Sequence, residues 1–169
     1  MSRGVIIGGV AAAAALAVPM GVYYEGVFPI GYADPVGIPT DCVGETQGAQ
    51  IGVQRFTFDE CVARYEPRLV RVWEYGLSRC ILRDVSVHQG AALMSWADNV
   101  GVGAACGSTL VRLLNAGVPP EMWCNQLTRW DKAKVLGITI TLPGLTKRRG
   151  SEYVMCLGGD WATGKGVSA

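Results

Sequence analysis

The N-terminal end of the chain carries its longest uncharged run. After a basic flank that ends at Arg3, the 21 residues 4–24 contain no charged side chain. A run of this length can cross a bilayer as a single helix. Alanine and glycine make up nearly half of it, however, and these residues favour membrane insertion only weakly or oppose it. Pro19 lies near its far end, where a proline is expected to kink or end the helix. The pattern therefore predicts a marginal membrane span.

Three interpretations of this run remain open. It can be a secretory signal cleaved after Ala15-Leu16-Ala17, a permanent anchor, or a signal anchor that exports the protein, holds it at the membrane and later leaves the bilayer. The low hydrophobicity argues against a permanent anchor, and we favour the third interpretation. A buried helix of a soluble protein fits the pattern less well, because the run has no polar face. A basic residue before the run and none directly after it predict an N-terminus inside and a domain outside.

The rest of the chain shows strand-and-turn patterning first and helical patterning later. Residues 25–46 are rich in glycine and proline and predict short strands with turns, and residues 47–55 predict a polar loop. Thr57 with Glu60 three residues later forms a capping box, so a helix should begin there, although Pro67 is expected to kink or break it. The pattern predicts an α+β fold with a small strand-bearing lobe, a long helix and a helical lobe.

The helical lobe is predicted from apolar spacing and from signals at helix ends. A second helix should open near Val87 and end at Asn99-Val100-Gly101. Beyond it we expect a helix over 107–115, a helix over 120–130, a looser stretch over 131–144, a helix near 145–156 and a frayed glycine-rich end after 158.

Composition narrows the classes of function. With 169 residues, half of them hydrophobic, the chain should hold one main domain with a substantial core. The formal net charge of +1 gives no domain-wide basic excess, so nucleic acid is not predicted as a partner. Six cysteines beside an apolar N-terminus suggest an oxidising compartment and up to three disulfides. The sequence has no Cys-x-x-Cys pair and His88 is its single histidine, so no metal site is predicted.

Two carboxylates and a hydroxyl mark the segment after the apolar run. Glu25, Asp34 and Thr40 stand at the spacing Glu-x8-Asp-x5-Thr, a pattern that by itself arises often by chance. It is followed in order by His88-Gln89-Gly90-Ala91-Ala92-Leu93-Met94-Ser95-Trp96, Asn99-Val100-Gly101, Ser108-Thr109-Leu110, Leu114-Asn115-Ala116-Gly117, Arg129-Trp130, Gly144-Leu145, Arg148-Arg149 and Glu152. With these motifs, which cover about residues 25–158, the chain resembles phage-type lysozymes, glycoside hydrolase family 24. The weakly apolar N-terminus resembles their subgroup of signal-anchor-release endolysins, with which phages of Gram-negative bacteria lyse the host.

The resemblance implies a fold and an activity. The fold would be a two-lobed, lysozyme-like α+β fold, with a small β-containing lobe and a larger helical lobe, preceded by a weakly hydrophobic N-terminal helix. Residues 1–24 would form the signal-anchor-release or transmembrane segment, and residues 25–169 the catalytic domain. The enzyme would hydrolyse the β-1,4 bond between N-acetylmuramic acid and N-acetylglucosamine in peptidoglycan, for host cell lysis and release of phage progeny.

The subgroup also implies a path for the protein. It would be exported in an inactive form, with its N-terminus in the cytoplasm and residues 4–24 in the host inner membrane. Release into the periplasm would then activate it. Its partners would be this membrane and peptidoglycan, without nucleic acid, and the active form would be a monomer.

Individual residues receive roles from the same resemblance. Glu25 would be the general acid, and Asp34 the carboxylate that stabilises positive charge at the sugar carbon and helps to position water. Thr40 would hold the nucleophilic water through its hydroxyl. Arg148 or Arg149 would pair with Glu25 from the far lobe. The reaction needs no metal and no organic cofactor.

The resemblance also implies a pairing of the cysteines, and the chain departs from the family pattern at one position. The positions of the cysteines on the family fold imply the pairs Cys42–Cys61, Cys80–Cys106 and Cys124–Cys156, although the sequence alone leaves the connectivity open. Glu45 stands where the family commonly has a histidine. Altered local salt bridging is expected there, without loss of activity.

Two other functions remain open. A lytic transglycosylase, in which the sugar's own hydroxyl attacks, would use the same fold, but a carboxylate and a hydroxyl that hold water favour hydrolysis. A non-enzymatic wall-binding protein on the same fold is disfavoured, because Glu25, Asp34 and Thr40 are all present.

Overall fold

Helices dominate the fold. The computed structural model describes residues 3–34, 37–135 and 137–166, and within these ranges the chain forms seven α-helices and three two-stranded sheets. The helices are α1 (Val10–Glu25), α2 (Phe58–Glu74), α3 (Val87–Val100), α4 (Val102–Cys106), α5 (Thr109–Ala116), α6 (Pro120–Cys124) and α7 (Pro143–Cys156). The strands are β1 (Ile6–Ile7), β2 (Phe28–Ala33), β3 (Pro39–Cys42), β4 (Val85–Ser86), β5 (Lys132–Val135) and β6 (Ile138–Thr141). The predicted α+β class is confirmed.

The apolar N-terminal run supplies part of the core. Helix α1 packs against α2 and α3 and buries Ala13, Ala14, Ala17, Met20 and Gly21. The alanines and Gly21 leave room for close approach, and at Gly21 the ring of Tyr65 on α2 fills the space that a Cβ would take. Helix α3 is the most enclosed element, since every residue from 90 to 97 is buried. The core therefore lies where α1 crosses α2 and α3.

The residues before α1 tie the start of the chain to the helical lobe. The Gly4 N–H donates to the Ile81 carbonyl at 3.0 Å, and the Val5 N–H donates to Asp84 Oδ1 at 3.0 Å. Strand β1 then runs parallel to β4. None of this was predicted, because a two-residue strand is too short to show a periodic pattern.

The predicted division between residues 24 and 25 falls inside α1 in this fold. The run that was expected to span a membrane here shares one core with the rest of the chain. Among the helices of the described residues, none has both the length and the apolar content that a membrane span requires. A membrane-inserted state of residues 4–24 stays a prediction.

Helix ends follow the local signals in the sequence. The Thr57 side chain accepts from the Glu60 N–H at 3.3 Å, and the Glu60 carboxylate accepts from the Thr57 N–H at 2.7 Å, so the capping box is formed. Helix α3 ends before Gly101, as predicted. Helix α5 ends before Gly117, whose φ of 76° lies in the left-handed region that glycine favours. Beyond α6, a 3-10 helix covers Asn125–Arg129, so the helix predicted over 120–130 is divided in two.

Two internal prolines do not stop their helices. A kink or a break was expected at Pro67, and the break does not occur, because α2 continues to Glu74. A kink or an end was expected at Pro19, and the end does not occur there, because α1 continues to Glu25. Proline removes one backbone N–H and leaves the carbonyl four residues earlier without its helical partner. Both prolines are exposed, so water can bind that carbonyl.

The stretch predicted to be loose, 131–144, is a hairpin followed by the start of α7. Strands β5 and β6 are antiparallel, with Lys132 opposite Thr141. The alternation of isoleucine and threonine over 138–141 is a strand signal. All four of these residues are exposed, so no buried face marked the strand.

Residues 159–166 are also more ordered than predicted, while the rest of the predicted frayed end, 167–169, lies outside the described residues. The Asp160 carboxylate accepts from the Ala162 N–H at 3.0 Å and from the Thr163 hydroxyl at 2.7 Å. The ring of Trp161 lies 5.8 Å from that of Tyr23 on α1. A side-chain-closed turn thus contacts the end of α1.

Three disulfides connect the elements. The bonded pairs are Cys42–Cys61, Cys80–Cys106 and Cys124–Cys156, the pairing that the resemblance implied. The first joins β3 to α2, and the third joins α6 to α7. Each cross-link restricts the unfolded chain, which typically stabilises a fold by about 2–4 kcal/mol.

Candidate active site

Glu25 is placed by the end of α1. It is the last residue of that helix, and Gly26 follows with a φ of 73°, where the chain turns toward β2. The Glu25 side chain is 29% exposed and forms an ion pair with Arg148 of α7. The hydroxyl of Tyr24 lies 2.8 Å from Ser151 Oγ, also on α7. The docking of α1 against α7 therefore determines where the carboxylate lies.

A cavity of about 440 Å³ opens beside this ion pair. Its walls come from the end of α1, from α3 and from the start of α7, and they consist of Tyr24, Glu25, Asn99, Leu142, Pro143, Gly144, Leu145 and Arg148. Ligand sites usually measure about 300–1,000 Å³. Glu25 thus faces a space in which a sugar unit can lie.

Arg148 is held through all three guanidinium nitrogens. Its Nε donates to Glu152 Oε1 at 3.2 Å, its Nη2 to the Ser95 carbonyl at 3.4 Å, and its Nη1 to the Glu25 carboxylate. Its side chain is only 4% exposed. The sequence left open which of two arginines meets Glu25, and the structure selects Arg148.

Arg149 does not reach Glu25. Its Nη2 donates to Asn99 Oδ1 at 3.0 Å and to Glu152 Oε1 at 3.1 Å, deep in the core. Neighbouring residues of a helix point about 100° apart, so the two arginines leave α7 in different directions. Both reach Glu152, but only Arg148 reaches Glu25. Of the two arginines expected as partners of Glu25, Arg149 is connected to it only through Glu152 and Arg148.

Asp34 and Thr40 are fixed by the turn between β2 and β3. Asp34 Oδ1 accepts from the Ile38 N–H at 2.8 Å, directly after β2. Thr40 lies buried in β3, and its hydroxyl donates to the Ile38 carbonyl at 3.0 Å. Because a hydroxyl that donates its proton can still accept a hydrogen bond, the orientation of Thr40 is compatible with binding water.

Tyr32 connects this turn to Glu25. It lies opposite Thr40 in the β2–β3 register. Burial raises the pKa of the Tyr32 phenol, and the charges of Glu25 and Asp34 raise it further, so both carboxylates lie within electrostatic range of one ring. After β3 the chain returns to Glu25, since a Cβ on Gly44 would lie 3.7 Å from Glu25 Oε2. Tyr32 therefore lies opposite Thr40 in the sheet and senses the charges of both Glu25 and Asp34.

Arg68 is a site residue that the sequence did not reveal. Its Nε donates to Asp98 Oδ1 at 2.7 Å, and its Nη1 donates to the carbonyls of Val43 and Gly44 at 2.9 Å and 3.0 Å. Burial raises the pKa of Asp98, and the guanidinium of Arg68 opposes that shift. The turn after β3 is thereby tied to α2 and α3. From the sequence alone, an arginine that forms a partly buried ion pair cannot be told from an arginine that is exposed to solvent.

The acid at position 45 forms a local ion pair. Glu45 pairs with Arg64 at 2.7 Å, and the neighbouring buried Asp41 pairs with Arg55 at 2.7 Å. Ligand atoms of Asp41, Cys42 and Glu45 lie within 4.8 Å of one another. The Cys42 sulfur is in a disulfide and both carboxylates have guanidinium partners, so this group is not suited to hold a metal.

Comparisons with known proteins agree with this geometry. A family model described as phage lysozyme matches residues 22–152. A SAR-endolysin of Pseudomonas phage phiKMV is 32% identical over 149 residues, which cover 88% of this chain and 89% of that protein. A SAR-endolysin of Enterobacteria phage P21 is 35% identical over 136 residues, which cover 80% of this chain and 79% of that protein. The solved structure of an endolysin from the Escherichia coli phage FAHEc1 superposes with a TM-score of 0.74 at 25% identity, covering 83% of this chain and 90% of that one.

These similarities confirm two predictions made from the sequence. The fold is the two-lobed lysozyme fold, and the relatives include the SAR-endolysin subgroup. The matched segment of 22–152 includes Glu25, Asp34, Thr40 and Arg148. The chain therefore belongs to the phage lysozyme family, and it is a glycoside hydrolase of the muramidase type.

Proposed function

We propose that the protein hydrolyses the β-1,4 bond between N-acetylmuramic acid and N-acetylglucosamine in peptidoglycan, with Glu25 as the general acid. The observation that supports this most is the position of Glu25. Its half-buried carboxylate faces the 440 Å³ cavity and is oriented by Arg148. An acid in such a place can deliver a proton to a glycosidic oxygen that lies in the cavity.

The second half of the reaction is assigned to the β2–β3 turn. As the glycosidic bond breaks, positive charge develops at the sugar carbon, and the Asp34 carboxylate stabilises it. A water that attacks this carbon is held between Asp34 and the Thr40 hydroxyl. Both groups are fixed on Ile38, so their separation is set before substrate binds.

The products of wall digestion test this proposal. Purified peptidoglycan digested by the enzyme should yield new reducing ends of N-acetylmuramic acid, identified by mass spectrometry. Digestion in isotope-labelled water should place the label at those ends, because water is the nucleophile. Anhydro-sugar ends without label would instead identify a transglycosylase, and new N-acetylglucosamine reducing ends would show that a different bond is cut.

We also propose that the enzyme is exported with residues 4–24 in the host inner membrane and is activated when they leave it for the periplasm. The resemblance to SAR-endolysins supports this path. A physical argument supports it too: residues buried in the core through α1 cannot at the same time lie in a bilayer. While the run is inserted, it cannot dock on the domain and bring Glu25 to Arg148, so the tethered enzyme is inactive. The released form acts as a monomer.

Leucine on the exposed face of α1 should delay release. Ala11, Ala12 and Ala15 are exposed in the folded protein, so their replacement by Leu leaves the core unchanged. Three leucines favour the inserted state by about 1–2 kcal/mol, or roughly tenfold in the partition between membrane and periplasm. Fractionation of cells during a lysis time course measures the retained fraction.

The matched control replaces the same three alanines by Ser, which should release at least as fast as the wild type. If the leucine variant lyses cells on the wild-type schedule, departure of this segment from the membrane is not the step that activates the enzyme.

A further inference from the structure

A buried ionic cluster lies behind Arg148. Glu152 of α7 is fully buried between two guanidinium groups. Its Oε1 accepts from Ser95 Oγ at 2.9 Å, from Arg148 Nε at 3.2 Å and from Arg149 Nη2 at 3.1 Å, and its Oε2 lies 3.0 Å from Arg149 Nε. One carboxylate therefore accepts hydrogen bonds from both arginines and from a hydroxyl of α3.

The charges of this cluster do not balance. Two arginines and one carboxylate leave one excess positive charge in the interior, where an uncompensated charge is costly. Burial raises the pKa of Glu152, while the two guanidinium groups oppose that shift and favour the carboxylate. The excess positive charge is balanced at the cleft, where Arg148 forms an ion pair with Glu25.

The geometry of the cluster determines where Arg148 points. A guanidinium is planar, so fixing two of its nitrogens fixes the third. Arg148 Nε is fixed by Glu152, and Nη2 by the Ser95 carbonyl, which leaves Nη1 aimed at Glu25. Without the Glu152 carboxylate, only a long bond of 3.4 Å to the Ser95 carbonyl would keep that direction.

We propose that Glu152 is a positioning residue for the reaction. It orients Arg148 toward Glu25 and shares the positive charge of Arg148, so that Glu25 is held in place. The inference rests on the proposed role of Glu25 as general acid. Glu152 touches neither the cavity nor the reacting atoms, and it acts through Arg148.

Several charged or titratable groups face Arg148. Those in direct contact are the Glu25 and Glu152 carboxylates, and the ring of Tyr24 lies 6.0 Å from the guanidinium carbon. The groups that interact with Arg148 come from every helix packed around it: Tyr24 and Glu25 of α1, Tyr65 of α2, Asp98 of α3, and Arg149 and Glu152 of α7. If the charge of Glu152 is removed, Glu25 is the one carboxylate of this set still in contact with Arg148. Its ionised form is then favoured.

The test replaces Glu152 by Gln, which keeps the shape and removes the charge. The value of kcat on soluble glycan strands from peptidoglycan should fall by about 10- to 10²-fold through misplacement of Arg148, with KM little changed. The alkaline limb of the pH profile should move to lower pH by about one unit, because a general acid that ionises more readily loses its proton sooner as pH rises. In Glu152→Asp, which retains the charge, the limb should stay at the wild-type position while kcat falls less.

Ser95→Ala is the matched control. It removes a neutral hydrogen bond to the same carboxylate without changing any charge, so it should lower the thermal stability but leave the alkaline limb in place. The position of the limb therefore separates a role in positioning from a role in packing alone.

The inference is overturned if folded Glu152→Gln keeps the wild-type limb, whatever its kcat. If Glu152→Gln does not fold, the Asp variant decides: a wild-type limb with reduced kcat supports the inference, and wild-type kcat or a limb moved to lower pH overturns it. Failure of the proposed function would look different, because Glu25→Gln would then retain activity.

Discussion

Replacing Glu25 by Gln should lower the rate of peptidoglycan hydrolysis by at least about 10²-fold, the low end of what a general acid contributes. Glutamine has the same shape and can still accept the hydrogen bond from Arg148 Nη1, but it has no proton to deliver to the glycosidic oxygen. The fold should remain, because Glu25 lies at the end of α1 and is not part of the buried core. Hydrolysis of purified wall, measured together with thermal unfolding, separates the two effects.

Glu121→Gln is a suitable control for this experiment. Glu121 is an exposed residue in the first turn of α6, so the same chemical change there should leave the rate unaltered. A Glu25→Gln enzyme that digests wall at nearly the wild-type rate would remove Glu25 from the catalytic site, and with it the proposed mechanism.

Replacing Gly21 by Leu should prevent α1 from docking and so abolish activity. A Cβ at this position would lie 2.1 Å from a ring carbon of Tyr65. The ring cannot yield easily, because Tyr65 is buried and its hydroxyl donates to Asp98 at 3.2 Å. Overpacking of this kind typically costs about 1–3 kcal/mol, and with a ring held in place we expect at least about 3 kcal/mol. Since α1 carries Glu25, loss of docking removes the acid from Arg148.

The control is Ala15→Leu in the same helix. Ala15 is exposed, so this change adds a leucine to the same apolar run without meeting Tyr65. Purified Ala15→Leu should unfold near the wild-type temperature and hydrolyse wall normally. Wild-type stability and activity in Gly21→Leu would show that the close contact between α1 and α2 is not needed for the active fold.

Several helix boundaries could be predicted because their signals are local. The capping box at Thr57 and the glycines at 101 and 117 act through their own neighbours, and the structure confirms all of them. The effect of the prolines could not be predicted in the same way, because it depends on more than neighbouring residues. A break at Pro67 follows from the backbone alone, whereas the exposure of that position lets water bind the freed carbonyl, and exposure is a property of the whole fold.

The site shows the same division. The motif with Glu25, Asp34 and Thr40 could be recognised by its spacing, and the resemblance implied its chemistry. The sequence could not predict which of two adjacent arginines pairs with Glu25, since that depends on how α7 is rotated against α3. The sequence could not predict the hydrogen bonds of Arg68 to Asp98 and to the turn after β3 either, because they join residues far apart in sequence.

By itself, the sequence determined the family, the helix ends that carry a cap signal and the residues available for catalysis, because caps and motif spacing are properties of short stretches. The tertiary structure decided what the apolar run does in the folded enzyme. Its uncharged residues are equally suited to lipid and to a protein core, and only the packing of α1 on α2 and α3 shows that the same segment completes the core and brings Glu25 to Arg148.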